Sequence, residues 1–244
     1  MSKRLKFFFR HLFVSILVAL AIIGLFFFIW YPNPLPSAVG VTRLILMLLI
    51  IDVILGPLLG LLVYKEGKKS LKFDLIFIVM IQIIALGYGI YSIEQGRPAW
   101  LVYNVDRFEL IRKNELVDDH IKDAQKQFQQ VSWFKPQFVA TEFAQDKNQR
   151  SEDMFSELFT GVSIAQRPER YVELSEAKLK MQQRALSLKE LEKYNSKDSI
   201  AKILKKYPQA NAWLPLKAPA IDMVVLINKE TAEVVKIVDL RPWN

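Results

Sequence analysis

An acidic residue lies alone within a long apolar run near the N-terminus, and two glycines follow it at helical spacing. Asp52 lies inside the apolar run 44–64, and Gly56 and Gly60 follow at intervals of four residues. Because four residues are slightly more than one helical turn, the three positions lie roughly on one face of a helix. A carboxylate inside a bilayer costs about 3 kcal/mol, so we expect this acid to have a partner.

A second polar residue, Gln82, lies in a later apolar run and is predicted to lie at the same depth as Asp52. Two antiparallel helices would place these side chains about 12 Å and about 16 Å from the same end of the bundle. We therefore expect a hydrogen bond between them. The pair either holds two helices together, or takes part in binding a partner helix, or relays a proton or ion. The candidate contacts with a partner helix are Asp52, Gly56, Pro57, Gly60, Gln82 and Gly89.

Three apolar runs, at residues 12–31, 44–64 and 75–93, are each long enough to cross the hydrocarbon core as a helix. Up to residue 93 the chain has nine basic and three acidic residues, whereas the remainder has 24 basic and 22 acidic residues. The excess positive charge flanks the apolar runs, in residues 1–11 and 65–73. This pattern predicts a cytoplasmic N-terminus and an external C-terminal domain, and it argues against nucleic acid as a partner.

The C-terminal part has the composition of a soluble domain. Residues 100–111 alternate and are rich in strand formers, which predicts one strand, and residues 114–128 are predicted to be helical. Residues 221–228 and 234–240 predict a β-hairpin. The expected fold is three transmembrane helices in residues 1–93, followed by a periplasmic α+β domain in residues 94–244 with a small antiparallel sheet.

Two further segments carry expectations about the membrane surface. The proline-rich loop 31–36 is predicted to be extended and to lie at the outer membrane–water interface. Four aromatic residues in an aperiodic stretch are predicted to lie in the core, with membrane-facing and partner-facing positions as alternatives; they are Trp133, Phe134, Phe138 and Phe143.

The sequence contains little that points to catalysis. It has no cysteine, no glycine-rich phosphate loop and no serine-elbow motif. His120 stands beside two aspartates, but such a cluster is more typical of a solvated helix surface than of a metal or catalytic site. We therefore expect no catalytic residue, no metal site and no cofactor.

Taken in order, several short motifs resemble the type IV pilin accessory proteins of the TfpX/TfpZ type. The motifs are 52–57 (DVILGP), 68–74 (KKSLKFD), Gln82, 85–86, 88–89, 97–98 and 105–108 (VDRF). They cover about residues 1–112. The resemblance implies a bacterial inner-membrane factor that assists the assembly or surface display of a cognate major pilin and contributes to twitching motility. It also implies contacts with the lipid bilayer and with other pilus-assembly components.

The resemblance further implies a membrane-proximal interface on the periplasmic domain. Its candidate residues are Arg97, Pro98, Asp106, Arg107 and Phe108. Two other functions remain open alongside the pilin accessory role. One is a structural subunit of a larger envelope complex, and the other is a small transporter or enzyme component that uses Asp52 as an acid.

Overall fold

The chain divides into two units in the computed structural model, which describes residues 1–243. The helical unit consists of residues 1–32 and 41–96, and the sheet unit consists of residues 33–40 and the chain from Arg97 onward. Since residues 33–40 lie between two apolar helices in sequence, the sheet unit is assembled from two separate stretches of the chain.

Long apolar helices form the helical unit, and shorter helices belong to the sheet unit. Within the described residues the α-helices are α1 Lys3–Gly24, α2 Leu35–Val39, α3 Thr42–Val63, α4 Leu71–Gln95, α5 Lys147–Thr160, α6 Lys178–Arg184 and α7 Lys197–Leu204. A π-helical segment, Leu25–Trp30, extends α1. Ser2 begins α1 as a side-chain cap that accepts from the backbone N–H of Leu5.

Three helical segments are long and apolar enough to cross a bilayer. They are α1 with its π-helical extension, 28 residues in all, α3 with 22 residues and α4 with 25 residues. At 1.5 Å per residue even α3 extends about 33 Å, slightly more than the hydrocarbon core. Helix α3 packs against both α1 and α4 and is therefore the central helix of this unit. The prediction of three transmembrane helices is confirmed.

An eight-stranded sheet forms the sheet unit, in the order β4-β3-β1-β2-β6-β7-β8, with β5 paired to β6. The strands are β1 Pro98–Asn104, β2 Arg107–Arg112, β3 Gln137–Thr141, β4 Tyr171–Glu173, β5 Leu186–Ser187, β6 Ala212–Lys217, β7 Met223–Asn228 and β8 Glu233–Val238. The pairs β1–β3 and β2–β6 are parallel, and the remaining pairs are antiparallel. The α+β class is confirmed, but the sheet is larger than predicted and mixed rather than purely antiparallel.

Strand β1 is covered on both faces of the sheet, and each of its residues is buried. Leu101 and Tyr103 belong to the core cluster that also holds α6. Trp100 and Val102, which point to the opposite face, belong to a second cluster with Phe128. The sheet is therefore the middle layer of this unit.

The loop that follows α1 is part of the sheet unit and is helical in its second half. Leu35 and Ala38 of α2 are buried in the core cluster that also holds α6, and the carbonyl of Ala38 accepts from the backbone N–H groups of Ala220 and Ile221. Gly40 ends α2 with φ of +77°, and a Cβ there would lie 2.9 Å from Ala220 Cβ. The predicted extended conformation is wrong from Leu35 onward, because Leu35 and Ala38 give this segment an apolar face that a core can bury. The location of the loop at the outer membrane–water interface stays a prediction.

Local turns account for two other wrong predictions. Residues 100–111 form a hairpin of β1 and β2, because Val105 adopts φ of +58° and Asp106 N–H donates to Asn104 O. Residues 114–128 contain short 3₁₀ turns, such as Ile121–Asp123, and no α-helix. The predicted hairpin at 221–240 is confirmed as β7 and β8.

The four aromatic residues of the aperiodic stretch differ in exposure. Trp133, Phe134 and Phe143 are 57%, 64% and 42% exposed, whereas Phe138 packs against the core of the sheet unit. The prediction that they lie in the core is therefore correct only for Phe138.

Candidate functional site

A polar cluster lies among the three long helices and centres on the side-chain amide of Gln82. Its Nε2 donates to the backbone carbonyl of Asp52 at 3.0 Å and to Ser15 Oγ at 3.3 Å. Its Oε1 lies 3.0 Å from His11 Nε2, which is the donor because an amide oxygen can only accept. One amide thus connects α1, α3 and α4 at a common depth.

The expected contact between Gln82 and Asp52 is present, with the backbone oxygen of Asp52 as the acceptor. Gly56 permits this geometry, because its N–H is the regular helical donor to that oxygen and no side chain covers the approach. A Cβ at position 56 would lie 2.0 Å from Oε1 of Gln82 and 2.6 Å from its Nε2. Gly56 is therefore required by a contact within the chain itself.

The other predicted small residues also contact neighbouring helices of the same chain. A Cβ at Gly60 would lie 2.9 Å from Cε1 of Phe7 on α1, and a Cβ at Gly89 would lie 2.5 Å from Cδ1 of Leu48 on α3. Pro57 is buried in α3. Close packing inside the bundle thus explains the three glycines without a partner helix.

An open groove of about 430 Å³ runs between α1 and α4, and the polar cluster lies along it. Asp52 and Ser15 are buried, 8% and 4% exposed, whereas Val14 and Ile83 on its sides are 50% and 65% exposed. The groove therefore opens toward the lipid that would surround the bundle. Its lining is Phe7, Arg10, His11, Val14, Ser15 and Val18 from α1, Asp52 from α3, and Val79, Gln82, Ile83 and Leu86 from α4.

The presence of serine, histidine and aspartate in this cluster raises the question of nucleophilic catalysis. Such catalysis needs the histidine to bond the nucleophile directly. Here both Ser15 and His11 bond the amide of Gln82, which stands between them. The arrangement instead suits recognition, because an acid and a hydroxyl inside an apolar groove can bind a hydrogen-bond donor or a cation on another helix.

The predicted membrane-proximal residues do not form one surface. Arg97 is 2% exposed and precedes Pro98, the first residue of β1, whereas the Asp106–Arg107 pair lies in the turn at the other end of that strand. Seven strand residues separate the two sites by roughly 23 Å. Phe108 is fully buried and belongs to the core, so its assignment to an interface is wrong.

The sequence reasoning missed the contribution of α1 to the site. His11 and Ser15 are four residues apart and lie on one face of α1, together with Val14 and Val18. By sequence alone, His11 belongs to the basic segment 1–11 and Ser15 to the apolar run 12–31, so neither residue stands out as a site residue. Their helical spacing was the signal that could have identified them.

Comparison with known proteins gives one family. The family model described as "Fimbrial assembly protein FimB" matches residues 1–40, which include His11 and Ser15. The chain is also similar to a fimbrial assembly protein, serogroup E1, from Dichelobacter nodosus, with 34% identity over 167 residues. A serogroup I protein from the same organism is 32% identical over 167 residues.

The extent of these matches differs between relatives. The first two alignments cover 68% of this chain and 65% of each relative's length. A third relative, the fimbrial assembly protein of serogroups C1 and C2 from the same organism, is 34% identical over 116 residues, which are 47% of this chain and 88% of that protein. No solved structure matches.

Proposed function

The chain belongs to the family of fimbrial assembly proteins, and on that premise we propose that it assists type IV fimbrial assembly by binding a cognate major pilin in the bacterial inner membrane. A pilin subunit that awaits assembly presents a long apolar helix in the membrane and a globular head outside it. A protein that assists it needs an intramembrane site for the helix.

The groove between α1 and α4 is the observation that carries this proposal. It opens sideways, its walls are apolar, and both the acid Asp52 and the serine Ser15 line it, at a depth set by Gln82, which bonds Ser15 Oγ and the backbone oxygen of Asp52. An apolar helix with one hydrogen-bond donor or cation at this depth would fill the gap and satisfy the acid. Of the predicted contacts, Asp52 and Gln82 line the groove, so we assign partner binding to these two and bundle packing to Gly56, Gly60 and Gly89.

The orientation proposed for the helical unit puts the N-terminus in the cytoplasm. Arg4 Nε donates to Leu61 O at 2.7 Å, and Lys3 Nζ lies 3.6 Å from Glu66 Oε2. The basic N-terminal segment and the basic loop between α3 and α4 therefore lie at the same end of the bundle. That clustering supports a cytoplasmic location for this end and a periplasmic location for the sheet unit.

An exposed apolar ridge on α5 supports a protein partner for the sheet unit. The ridge consists of Met154, Phe155, Leu158 and Phe159, whose exposed fractions are 57%, 58%, 78% and 81%. On the opposite side of α5, buried Asp153 accepts from Arg170 Nε at 2.7 Å, which fixes the helix on the domain. We assign the ridge to the globular head of the pilin, because such contiguous apolar surface is typical of protein interfaces.

Deletion of the gene tests the proposed function. Because the protein acts in assembly, the deletion strain is expected to lose most of its surface fimbriae while unassembled pilin persists in the membrane, and the full chain supplied in trans restores the fimbriae. Electron microscopy of cells and immunoblotting of membrane fractions measure the two quantities. Unchanged surface fimbriae would contradict the proposal.

A double substitution on the ridge, compared with Asp52→Asn, separates this function from that of a structural envelope subunit, because only the proposed function also requires Asp52. If the sheet unit were the only working surface, Phe155→Ser with Leu158→Ser would abolish fimbriae while Asp52→Asn would not. The ridge variant is preferable to truncation after Gly96, because truncation would also remove the core into which α2 packs.

A further inference from the structure

A short loop of the sheet unit exposes two adjacent aromatic side chains next to a lysine. Trp133 and Phe134 are 57% and 64% exposed, and Lys135 is exposed as well. Removing an aromatic side chain from water is favourable, so two adjacent exposed aromatic side chains would gain free energy from an apolar environment. Such a pair indicates a surface that an apolar phase covers.

The side chain of Arg97 holds this loop. Its Nη2 donates to Ser132 O at 2.7 Å and its Nη1 lies 3.5 Å from Phe134 O. Arg97 is buried, so the guanidinium is a fixed anchor for the loop. Because an extended arginine side chain reaches about 7 Å, two carbonyls of the loop stay within about 10 Å of the Arg97 backbone.

Arg97 itself lies where the chain leaves the membrane. It follows Gln95, the last residue of α4, by two positions, and the apolar part of this span ends at Ile93. Four residues at 1.5 Å each put Arg97 about 6 Å beyond the hydrocarbon edge, which is within the headgroup layer. Exposed Tyr91 on α4, two residues before Ile93, lies close to the same interface, where amphipathic rings are enriched.

We propose that Trp133 and Phe134 insert into the bilayer interface and attach the sheet unit to the membrane at a point besides its covalent connections. Lys135 lies beside them, where it faces the phosphates of anionic lipids. The occupant of this surface is the lipid bilayer, because the loop is tied to the residue at which the chain emerges from it. The inference is independent of the pilin groove.

Spin labelling tests this contact in the full-length protein. The chain has no cysteine, so Phe134→Cys introduces a unique attachment site for a nitroxide. In liposomes of phosphatidylcholine and phosphatidylglycerol, power saturation compares collisions of the label with oxygen, which partitions into lipid, and with a nickel chelate, which stays in water. We expect the oxygen-to-nickel collision ratio at position 134 to exceed severalfold that at Leu179→Cys.

Leu179 is a matched control because it is 73% exposed on α6 of the same unit, and Ile83→Cys, 65% exposed in the span, calibrates a lipid-facing site. A ratio equal to that at position 179 would overturn the proposal, since it places the loop in water. Low collision rates with both reagents would also overturn it, because they indicate a covering protein. Trp133→Cys gives a second measurement of the oxygen-to-nickel collision ratio in the same loop. The melting temperature of each variant is compared with that of the parent chain to confirm that it folds.

Discussion

Replacing Asp52 with asparagine is expected to lower the number of surface fimbriae about tenfold or more. The reason is that a loss of about 1.4 kcal/mol of binding free energy weakens the binding of the pilin helix to the groove tenfold. A hydrogen bond to a charged group contributes about 1.5 to 3 kcal/mol, and asparagine removes the charge with little change in shape. The amount of protein in the membrane is expected to stay the same, since Gln82 bonds the backbone oxygen of residue 52, which the substitution retains.

Asp74→Asn is the control for this prediction, because Asp74 is also an acid on a spanning helix, where its Oδ2 lies 2.6 Å from Lys68 Nζ. Asp74 lies outside the groove, so this variant is expected to assemble fimbriae normally. Normal fimbriae in Asp52→Asn would contradict a role for the carboxylate. Loss of fimbriae with undiminished pilin binding would instead favour the transporter or enzyme component that uses Asp52 as an acid.

Gly56→Ala is expected to weaken the helical unit by about 2 kcal/mol, the sum of three intramembrane hydrogen bonds of about 0.6 kcal/mol each. The new Cβ would lie 2.0 Å from Oε1 of Gln82, so the amide must leave the position from which it bonds Asp52, Ser15 and His11. A lower melting temperature in detergent and a lower steady-state amount in membranes should both follow.

Gly87→Ala is the matched control, because Gly87 also lies in a membrane-spanning helix, α4, and a Cβ at this position would have no neighbouring atom within 4 Å. Alanine also has the better helix propensity, so this variant should be as stable as the parent chain or slightly more stable. If both alanine variants melted like the parent chain, the polar cluster would contribute nothing to holding the helices together.

The spanning helices and the depth of their polar residues could be predicted from the sequence. Apolar runs of bilayer length have few alternatives to a helix, since every backbone group must be satisfied internally. Asp52 and Gln82 were predicted to meet because antiparallel helices of known rise leave little freedom in depth. The acceptor atom was not predictable, because it depends on the missing side chain of Gly56 beside the backbone oxygen.

The sheet was predictable only where its pairing is local. The β7–β8 hairpin has a short connection and alternating residues, and both signals lie within one window of sequence. The parallel pairs β1–β3 and β2–β6 join distant segments, and no local pattern specifies them. Helix α2 was missed for the same reason, since its apolar side chains are buried in a core cluster with residues nearly two hundred positions away, such as Met223.

Only part of the candidate site could be predicted from the sequence. Asp52 could be identified, because a charge in an apolar run is energetically costly and therefore rarely accidental. The face of α1 that completes the groove could not be identified, because His11 adjoins a basic segment and Ser15 is a small residue that transmembrane helices tolerate well. Which side of α3 remains open depends on how α1 and α4 pack against it, and this is a tertiary property.

Site-specific photocrosslinking in living cells tests most directly whether the groove holds the pilin helix. A photoreactive residue replaces Val14 in the groove or Ile50 on α3, which is 56% exposed and lies about 160° around the helix from Asp52. We expect a crosslink to the major pilin from position 14 and only lipid adducts from position 50. Pilin adducts from both positions at equal yield, or from neither, would contradict binding in the groove.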